Sequence, residues 1–299
     1  MNRVIASFLI SAVIGLAAPA AGQDGLALMK VDPGARPSGM GGAFVSIAGD
    51  PMASAFNPAG AVGSEQFVAS LGHNDYWENI RLETGYFSAR WSERLYLHGG
   101  IRFAAVDDLE SRLTPTAEPE GLFDAHDVSL KAGVAYKISD KIAAGVAAGW
   151  FIEKIESWRG SAFNIDLGLI GKPRPGLTVG ASVTNLGSDF TLGYSGRESA
   201  EISLPTAYRF GASYQYQRYL GAVDLVYLDD DAHVHVGAEA RLHEYLSLRA
   251  GYMSGYDVKD LTAGASFHLT RYRLAVDYAF VPYSDNLGTY HLINLTFEL

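Results

Sequence analysis

The last eleven residues of the chain, Thr289 to Leu299, read TYHLINLTFEL. In an extended strand, successive side chains point to opposite faces. One face of this strand then carries only apolar residues, Ile293, Leu295, Phe297 and Leu299, and the other carries Asn294, Thr296 and Glu298. A strand that ends a chain must pair with a neighbour or leave an open edge that invites aggregation. We therefore expect a sheet that closes on itself.

Upstream of this stretch, from Glu65 onward, the same alternation recurs in about fourteen segments. Val234 and Val236, for example, oppose His233 and His235. This pattern predicts an all-β fold, a transmembrane antiparallel β-barrel of about 14 strands over residues 65–299. The approximate segments are 65–73, 79–91, 95–106, 127–138, 141–154, 160–171, 176–187, 204–216, 219–229, 232–242, 245–253, 259–269, 271–281 and 289–299.

The connections between these segments fall into two sets. Five are very short, and the two longest, Asp107 to His126 and Ser188 to Ser203, both belong to the opposite set. Outer-membrane barrels have short periplasmic turns and longer extracellular loops. The separation of short and long connections onto opposite ends therefore predicts a location in the cell outer membrane, with both ends of the barrel chain on the periplasmic side.

Charged side chains lie on the face of each segment that is opposite to the apolar one. An Arg or Lys that faces lipid at mid-depth costs about 2–4 kcal/mol, so we expect these charges to face inward. Two interpretations stay open, a polar path for a substrate and a salt-bridge network that fills the interior. The predicted lumen network is Arg209, Asp224, Glu239, Arg241, Arg249, Arg273 and Asp277.

The N-terminal part of the chain differs from the barrel. Arg3, the apolar run from Val4 to Leu16 and the small residues at 18–22 predict a signal peptide over residues 1–22. Residues 23–64 are rich in glycine and contain two helix-start signals, Asp50-Pro51 and Asn57-Pro58. They predict a small plug with short helices. Its candidate gate residues are Gly39, Gly41, Gly42, Asn57, Pro58, Ala59 and Gly60.

Composition argues against several other functions. The net charge is −10, which leaves no basic stripe for nucleic acid, and the chain has no cysteine for a disulfide or a thiol nucleophile. His233 and His235 follow the acidic run 229–231, but we interpret this run as a solvated loop rather than a metal site. Ser266 and His268 share a strand face without an orienting acid. We predict no cofactor, no metal and no enzymatic activity.

Two motifs in the plug, GARPSGMGGAF (34–44) and NPAG (57–60), resemble the N-terminus of the PorV/PorQ family, within the FadL-like group of outer-membrane barrels. Further matching motifs follow in order along the C-terminal half, namely LP (204–205), YRFG (208–211), GAE (237–239), LRAGY (248–252), DYAF (277–280), LG (287–288) and His291. The resemblance implies a fourteen-strand barrel with an N-terminal plug.

Three functions are compatible with this resemblance. A PorV-type barrel would assist type IX-like secretion and receive secreted proteins by their C-terminal signal domains. A FadL-like barrel would conduct small hydrophobic compounds, and a third possibility is binding through the extracellular loops. A lateral opening, typical of FadL-like barrels, would require a bend in the wall. Gly85, Gly99-Gly100 and Leu204-Pro205 are candidates for that bend. Outer-membrane lipid is the expected partner in every case.

Overall fold

The computed structural model describes residues 27–75, 80–112, 114, 118–284 and 288–299. Within them, fourteen antiparallel strands form a closed barrel, and a two-strand hairpin stands at its rim. The wall strands are β1 (Phe67–Asp75), β2 (Ile80–Arg90), β3 (Leu95–Ser111), β4 (Gly121–Ser139), β5 (Ile142–Ile155), β6 (Trp158–Arg174), β7 (Leu177–Gly187), β10 (Ala207–Tyr216), β11 (Tyr219–Leu228), β12 (Asp231–His243), β13 (Leu246–Ser254), β14 (Leu261–Leu269), β15 (Leu274–Pro282) and β16 (Thr289–Glu298), and the hairpin is β8 (Gly193–Tyr194) with β9 (Arg197–Glu198).

Short helices precede and interrupt this wall. They are α1 (Ala27–Lys30), α2 (Ala35–Gly39), α3 (Ala53–Phe56) and two 3₁₀ turns, Pro58–Ala61 and Thr270–Tyr272. Within the described residues, no helix is long and apolar enough to cross a membrane. The predicted signal peptide and residues 23–26 of the plug lie outside the described residues.

The barrel closes between the first and last strands, as the C-terminal stretch predicts. β1 pairs with β16 from Val68 opposite Glu298 to Asp75 opposite His291, without a register shift. The side chains of Ile293 and Leu295 lie on the outside, 47% and 39% exposed. Closure gives both edge strands a hydrogen-bonding partner, so this sheet has no open edge.

The outer face of the wall is apolar and carries many large exposed side chains, including Leu130, Val146, Leu167, Val236 and Ile293. The inner face is the polar one: Asp166, Asp224, Arg249 and Asp277 are all buried. Such an exterior fits hydrocarbon and not water, because soluble proteins rarely expose apolar surface on this scale.

Strand ends differ from the prediction at the long-loop end of the barrel. β3 runs to Ser111 and β4 starts at Gly121, so most of the predicted loop from Asp107 to His126 is strand. The backbone ladder continues past a register shift between Val106 and Leu109. Apolar and polar residues no longer alternate regularly there, because strands that extend beyond a bilayer do not have to separate lipid-facing from lumen-facing side chains.

One predicted network residue lies elsewhere. The segment 271–281 places Arg273 in a strand, but Thr270–Tyr272 forms a 3₁₀ turn and β15 starts only at Leu274. Arg273 has a left-handed backbone, with φ of 51°, and its side chain is exposed. Its placement in the lumen network is therefore wrong, because the turn directs it to the short-turn end.

The wall is continuous at two of the candidate bends. β2 and β3 pair without interruption from Ile80 to Arg90, across Gly85 and Gly99-Gly100. A register shift occurs instead between β6 and β7, at Ile165 to Leu167. Leu204-Pro205 lies next to it, since the side-chain amide of Asn185 donates to the Pro205 carbonyl oxygen at 3.1 Å.

A charge on the outer face tests this orientation of the wall. Leu167 is 47% exposed and lies in the middle of β6. Leu167→Arg should lower the free energy of unfolding in lipid vesicles by about 2–4 kcal/mol more than Leu167→Ala does. Guanidinium titration of both variants measures the difference. Equal stability of the two variants would contradict a lipid-facing Leu167.

Candidate functional site: the plugged lumen

Residues 27–64, called the plug below, run through the interior of the barrel from one end to the other. At the long-loop end, the Lys30 ammonium group forms an ion pair with Asp229, at 2.6 Å. Asp229 belongs to the turn between β11 and β12. At the short-turn end, the Ser64 and Ser88 hydroxyls are 2.6 Å apart. The interior is therefore occupied along its length.

Glycines in the wall let the plug backbone approach the strands. A Cβ added at Gly237 would lie 2.5 Å from the Met40 carbonyl oxygen, closer than real contacts allow. A Cβ at Gly251 would overlap the backbone of Gly41, and one at Gly180 would overlap the Val45 carbonyl. These wall glycines act as notches, because only a residue without a side chain leaves room for a second backbone.

The predicted gate residues lie along this contact. Gly41 and Gly42 have φ of +61° and +71°, a conformation that side chains rarely adopt. Gly39 packs on Gly264 of β14. Pro58 and Ala59 contact Gly145 of β5, Asn57 contacts Gly168 of β6, and Gly60 packs on Ala53 and Ile47 within the plug.

Asn57 ties the plug to the wall. Its side-chain amide donates to the Val45 carbonyl at 2.8 Å and to the Leu169 carbonyl of β6 at 3.0 Å. Its oxygen accepts from the Ala59 amide at 3.0 Å and caps the 3₁₀ turn, as the sequence predicts. The other predicted start, Asp50-Pro51, lies further from its helix, because α3 begins only at Ala53.

Asp224 of β11 holds the next part of the plug. One carboxylate oxygen accepts from the amides of Phe44 and Val45, at 2.7 and 2.8 Å. Around these contacts lies an apolar core inside the lumen, formed by plug residues and a few wall residues: Met40, Ala43, Phe44, Ile47, Met52, Ala53, Phe56, Tyr86, Leu220 and Ala222. The plug thus has a core of its own, built against the inside of the barrel.

A chain of charges joins the plug to four strands. Arg36 makes a bidentate pair with Glu239, both bonds at 2.9 Å, and a third bond to Asp50 at 2.8 Å. Glu239 also accepts from Arg249 at 2.5 Å. Arg249 lies 3.2 Å from Asp277, and the Ser266 hydroxyl bonds to both Arg249 and Asp277.

Arg36 is held between two carboxylates, those of Glu239 and Asp50. The sequence prediction missed Arg36 as a network member. A signal was present, because Arg36 is the one cation between residues 31 and 64, within an apolar, glycine-rich stretch.

The remaining predicted residues divide between the lumen and the rim. Arg209 lies in the lumen, where it donates to the Thr184 hydroxyl at 3.0 Å and stands over the Phe56 ring. Arg241 is exposed at the short-turn end and donates to the Glu244 carbonyl at 3.2 Å. The network therefore contains Glu239, Arg249 and Asp277, with Asp224 and Arg209 at separate contacts and Arg241 outside.

A cavity of about 30 Å³, wide enough to admit water, lies between plug and wall. Beside it, the register shift of β6 lets Asp166 accept from the Asn185 amide at 2.7 Å and pair with Lys131 at 2.6 Å. The cavity is lined by Met29, Lys30, Val31, Asp32, Pro33, Ala55, Phe56, Tyr86, Arg102, Ser129, Lys131, Thr184, Asn185 and Arg209.

The long-loop end is covered by the connection 188–206, called the lid below. Its hairpin β8–β9 pairs with the wall at Gly193 opposite Arg159 of β6. From the lid, Phe190, Leu192 and Leu204 turn inward and are almost fully buried. They form one apolar group with the plug and the wall, called the lid cluster below: Met29, Leu82, Phe151, Phe190, Leu192 and Leu204.

A second connection, between β13 and β14, covers the other side of this end. The Tyr256 hydroxyl lies 3.0 Å from His235 Nε2, and the Tyr256 ring stacks on His233 at 3.9 Å. The Lys259 ammonium stands 4.3 Å from the same ring. Burial lowers the pKa of Lys259, against the attraction of Asp32.

The candidate side chains for metal binding and catalysis have the following neighbours. Among the described residues, no three His, Asp or Glu side chains come together to hold a metal ion. The Ser266 hydroxyl is engaged by Asp277, while His268 lies 3.1 Å from the Ser247 hydroxyl. His291 bonds to Tyr278 at 2.7 Å.

The closed fourteen-strand antiparallel barrel matches the fold of FadL-like outer-membrane barrels. Similar solved structures include the toluene transporter TodX of Pseudomonas putida, at 14% identity and a TM-score of 0.63, covering 88% of this chain and 96% of that one. The toluene transporter TbuX of Ralstonia pickettii is 16% identical, with a TM-score of 0.62 and coverage of 88% and 96%. A FadL homologue of Pseudomonas aeruginosa is 12% identical, with a TM-score of 0.62 and coverage of 89% and 98%.

At these identities the likeness shows the fold alone. A scan against protein families finds no match, and a search of curated proteins finds none either. The broader part of the sequence resemblance, to FadL-like barrels, is thus confirmed for the fold, and the assignment to PorV/PorQ is not confirmed.

The glycine notches can be tested with a single added methyl group. Gly251→Ala places a Cβ on the backbone of Gly41, whereas Gly221→Ala on β11 meets nothing within 4 Å. We expect Gly251→Ala to raise the hydrogen-exchange rate of plug amides near Gly41 and to leave the barrel strands protected. Gly221→Ala is the matched control and should exchange like the unmodified protein. Unchanged exchange in both would show that the plug does not depend on this notch.

The charge chain gives a second test. Glu239→Gln removes the carboxylate that Arg36 and Arg249 share. Breaking a buried pair from one side costs about 3–5 kcal/mol, here reduced by partial exposure. We expect plug proteolysis to accelerate at least tenfold. Glu244 is exposed at the short-turn end, and the plug of the control variant Glu244→Gln should be cleaved at the rate of the unmodified protein. If both variants are cleaved at the rate of the unmodified protein, the charge chain does not anchor the plug.

Proposed function

We propose that this protein is an outer-membrane conduit for small hydrophobic compounds and performs no chemistry of its own. The observation that carries the proposal is the lid cluster. It places apolar side chains of the lid, the wall and the plug in one group at the long-loop end. An apolar molecule can replace such contacts at little cost, because the hydrophobic effect is non-directional.

The same cluster suggests how entry is coupled to movement. Phe190 of the lid packs edge-on against Phe151 of the wall, with ring centroids 6.0 Å apart. Met29 of α1 belongs to the cluster and also lines the lumen cavity. A ligand that enters between Phe190 and Met29 separates the lid from the plug. Passage then requires the plug to shift, because plug residues pack against the inside of the wall between the lid and the short-turn end.

The comparisons support this proposal without deciding it. Solved structures with this fold include proteins described as toluene transporters and as a monoaromatic hydrocarbon channel. The apolar exterior of the barrel supports a location in the outer membrane, and the sequence pattern of residues 1–22 supports removal of a signal peptide. The long-loop end is then extracellular.

A secretion-accessory role rests only on the sequence resemblance to PorV/PorQ. It predicts that secreted proteins with C-terminal signal domains copurify with the detergent-extracted barrel. A hydrophobic-compound conduit predicts bound apolar molecules instead, which solvent extraction and mass spectrometry detect.

A disulfide can test whether the lid must move. The chain has no cysteine, so two introduced cysteines form a single bond. Arg159 and Gly193 are directly opposed across β6 and β8, a geometry that a disulfide accepts. We expect oxidised Arg159→Cys/Gly193→Cys to lose uptake of radiolabelled toluene by intact cells, and dithiothreitol to restore it.

The control uses the same Gly193→Cys with a partner inside the lid. Gly193 also opposes Glu198 within the hairpin, so Gly193→Cys/Glu198→Cys closes a disulfide that leaves the lid free. This variant should transport equally in both redox states. Full uptake by the oxidised lid-to-wall variant would contradict entry through the lid, and no uptake by any variant would contradict the conduit itself.

A further inference from the structure

The short-turn end of the barrel carries a ring of cations. Each of the six short turns, or the strand end beside it, contributes at least one exposed arginine or lysine. We take one from each turn and call the set the basic rim: Arg94, Lys141, Arg174, Arg218, Arg241 and Arg271. The cations thus go around the whole circumference rather than forming a patch on one side.

The charge of this rim is not neutralised by the protein. In the part of the chain that the structure describes, none of the six rim side chains forms an ion pair. An ion pair at the short-turn end joins two other residues, Lys137 and Asp140, at 2.9 Å. Arg218 stands over the ring of Tyr219, and Arg241 bonds to a carbonyl. The rim therefore retains several positive charges in contact with its surroundings.

The opposite end of the barrel has the reverse character. There the acidic residues exceed the basic ones, and two of the arginines form ion pairs, Arg81 with Asp107 and Arg112 with Glu110 at 2.5 Å. The net charge of −10 is thus unevenly distributed, with its negative excess at the long-loop end. The excess of cations at the short-turn end should attract an anionic partner.

Aromatic side chains fix the depth of the rim in the bilayer. Exposed rings stand on the outer wall beside the same turns: Trp91 (73% exposed), Tyr136, Tyr216, Tyr219, Tyr245 and Tyr272 (71%). Tyrosine and tryptophan on the outside of barrels collect at the boundary between hydrocarbon and headgroups. Five of the six rim cations, all except Arg174, lie within five residues of one of these rings, and so reach the level of the lipid phosphates.

From this juxtaposition we propose that the basic rim binds the headgroups of anionic phospholipids in the adjacent leaflet. Arg and Lys near an anionic membrane surface are attracted to it over about a Debye length. Guanidinium groups also match phosphate oxygens in bidentate geometry. The rim then selects anionic lipids around the short-turn end, whether or not the barrel conducts small molecules.

The test compares lipid retention by two matched variants. The rim variant carries Arg94→Gln, Arg174→Gln, Arg218→Gln and Arg271→Gln. The control variant removes four arginines at the long-loop end, by Arg81→Gln, Arg112→Gln, Arg159→Gln and Arg197→Gln. Each protein is equilibrated with equal amounts of phosphatidylglycerol and phosphatidylcholine of identical chains, and native mass spectrometry counts the retained lipids.

We expect the unmodified protein and the control variant to retain phosphatidylglycerol over phosphatidylcholine by about tenfold, and the rim variant to retain both equally. Heat-modifiable migration on a gel confirms that each variant is folded. A preference that survives in the rim variant overturns the proposal. So does a loss of the preference in the control variant, since the arginines of the long-loop end would then account for it.

A protein partner is the other outcome. If the unmodified protein retains both lipids equally but captures an acidic protein that the rim variant does not, the rim is a protein-docking surface and the lipid proposal is wrong.

Discussion

Every feature of this protein depends on one constraint: a backbone amide or carbonyl in hydrocarbon must find a hydrogen bond within the protein. The pairing of β1 with β16 meets it, because it leaves the sheet without an edge. Closure also divides each strand into a face toward lipid and a face toward a shared interior. That division explains why apolar and polar residues alternate so regularly from Phe67 to the end of the chain.

A closed wall of this size creates an interior that side chains alone do not fill, and the plug fills it. Its contacts are unusual in being made largely by backbone. Glycines of the wall admit plug carbonyls, and the carboxylate of Asp224 accepts two plug amides. Such contacts depend on shape and direction, and so hold the plug in one position. The charge chain from Arg36 to Asp277 adds a specific link across β12 to β15.

The two ends of the barrel have different physical characters. At the long-loop end, apolar residues of the lid and plug lie beneath connections in which acidic residues exceed basic ones. At the short-turn end, exposed aromatic rings and cations without an ion pair lie close together at five of the six turns. The plug occupies the lumen between them, so the conduction we propose depends on movement of the plug and not on a permanently open channel.

Much of the architecture could be read from the sequence, because a lipid-facing strand must show its apolar side with period two. The strand number, the inward direction of Asp224, Glu239, Arg249 and Asp277, and the capping role of Asn57 all follow from local pattern. The pattern was wrong for Arg273, because a left-handed turn residue breaks the alternation over only one or two positions.

The partners of these residues were decided by tertiary structure alone. Arg36 and Glu239 are 203 positions apart, and nothing in their neighbourhoods indicates the pair. The same holds for Met40 in the notch of Gly237 and for Phe190 against Phe151. Alternation determines which way a side chain faces, whereas the curvature and register of the closed sheet determine what it meets there.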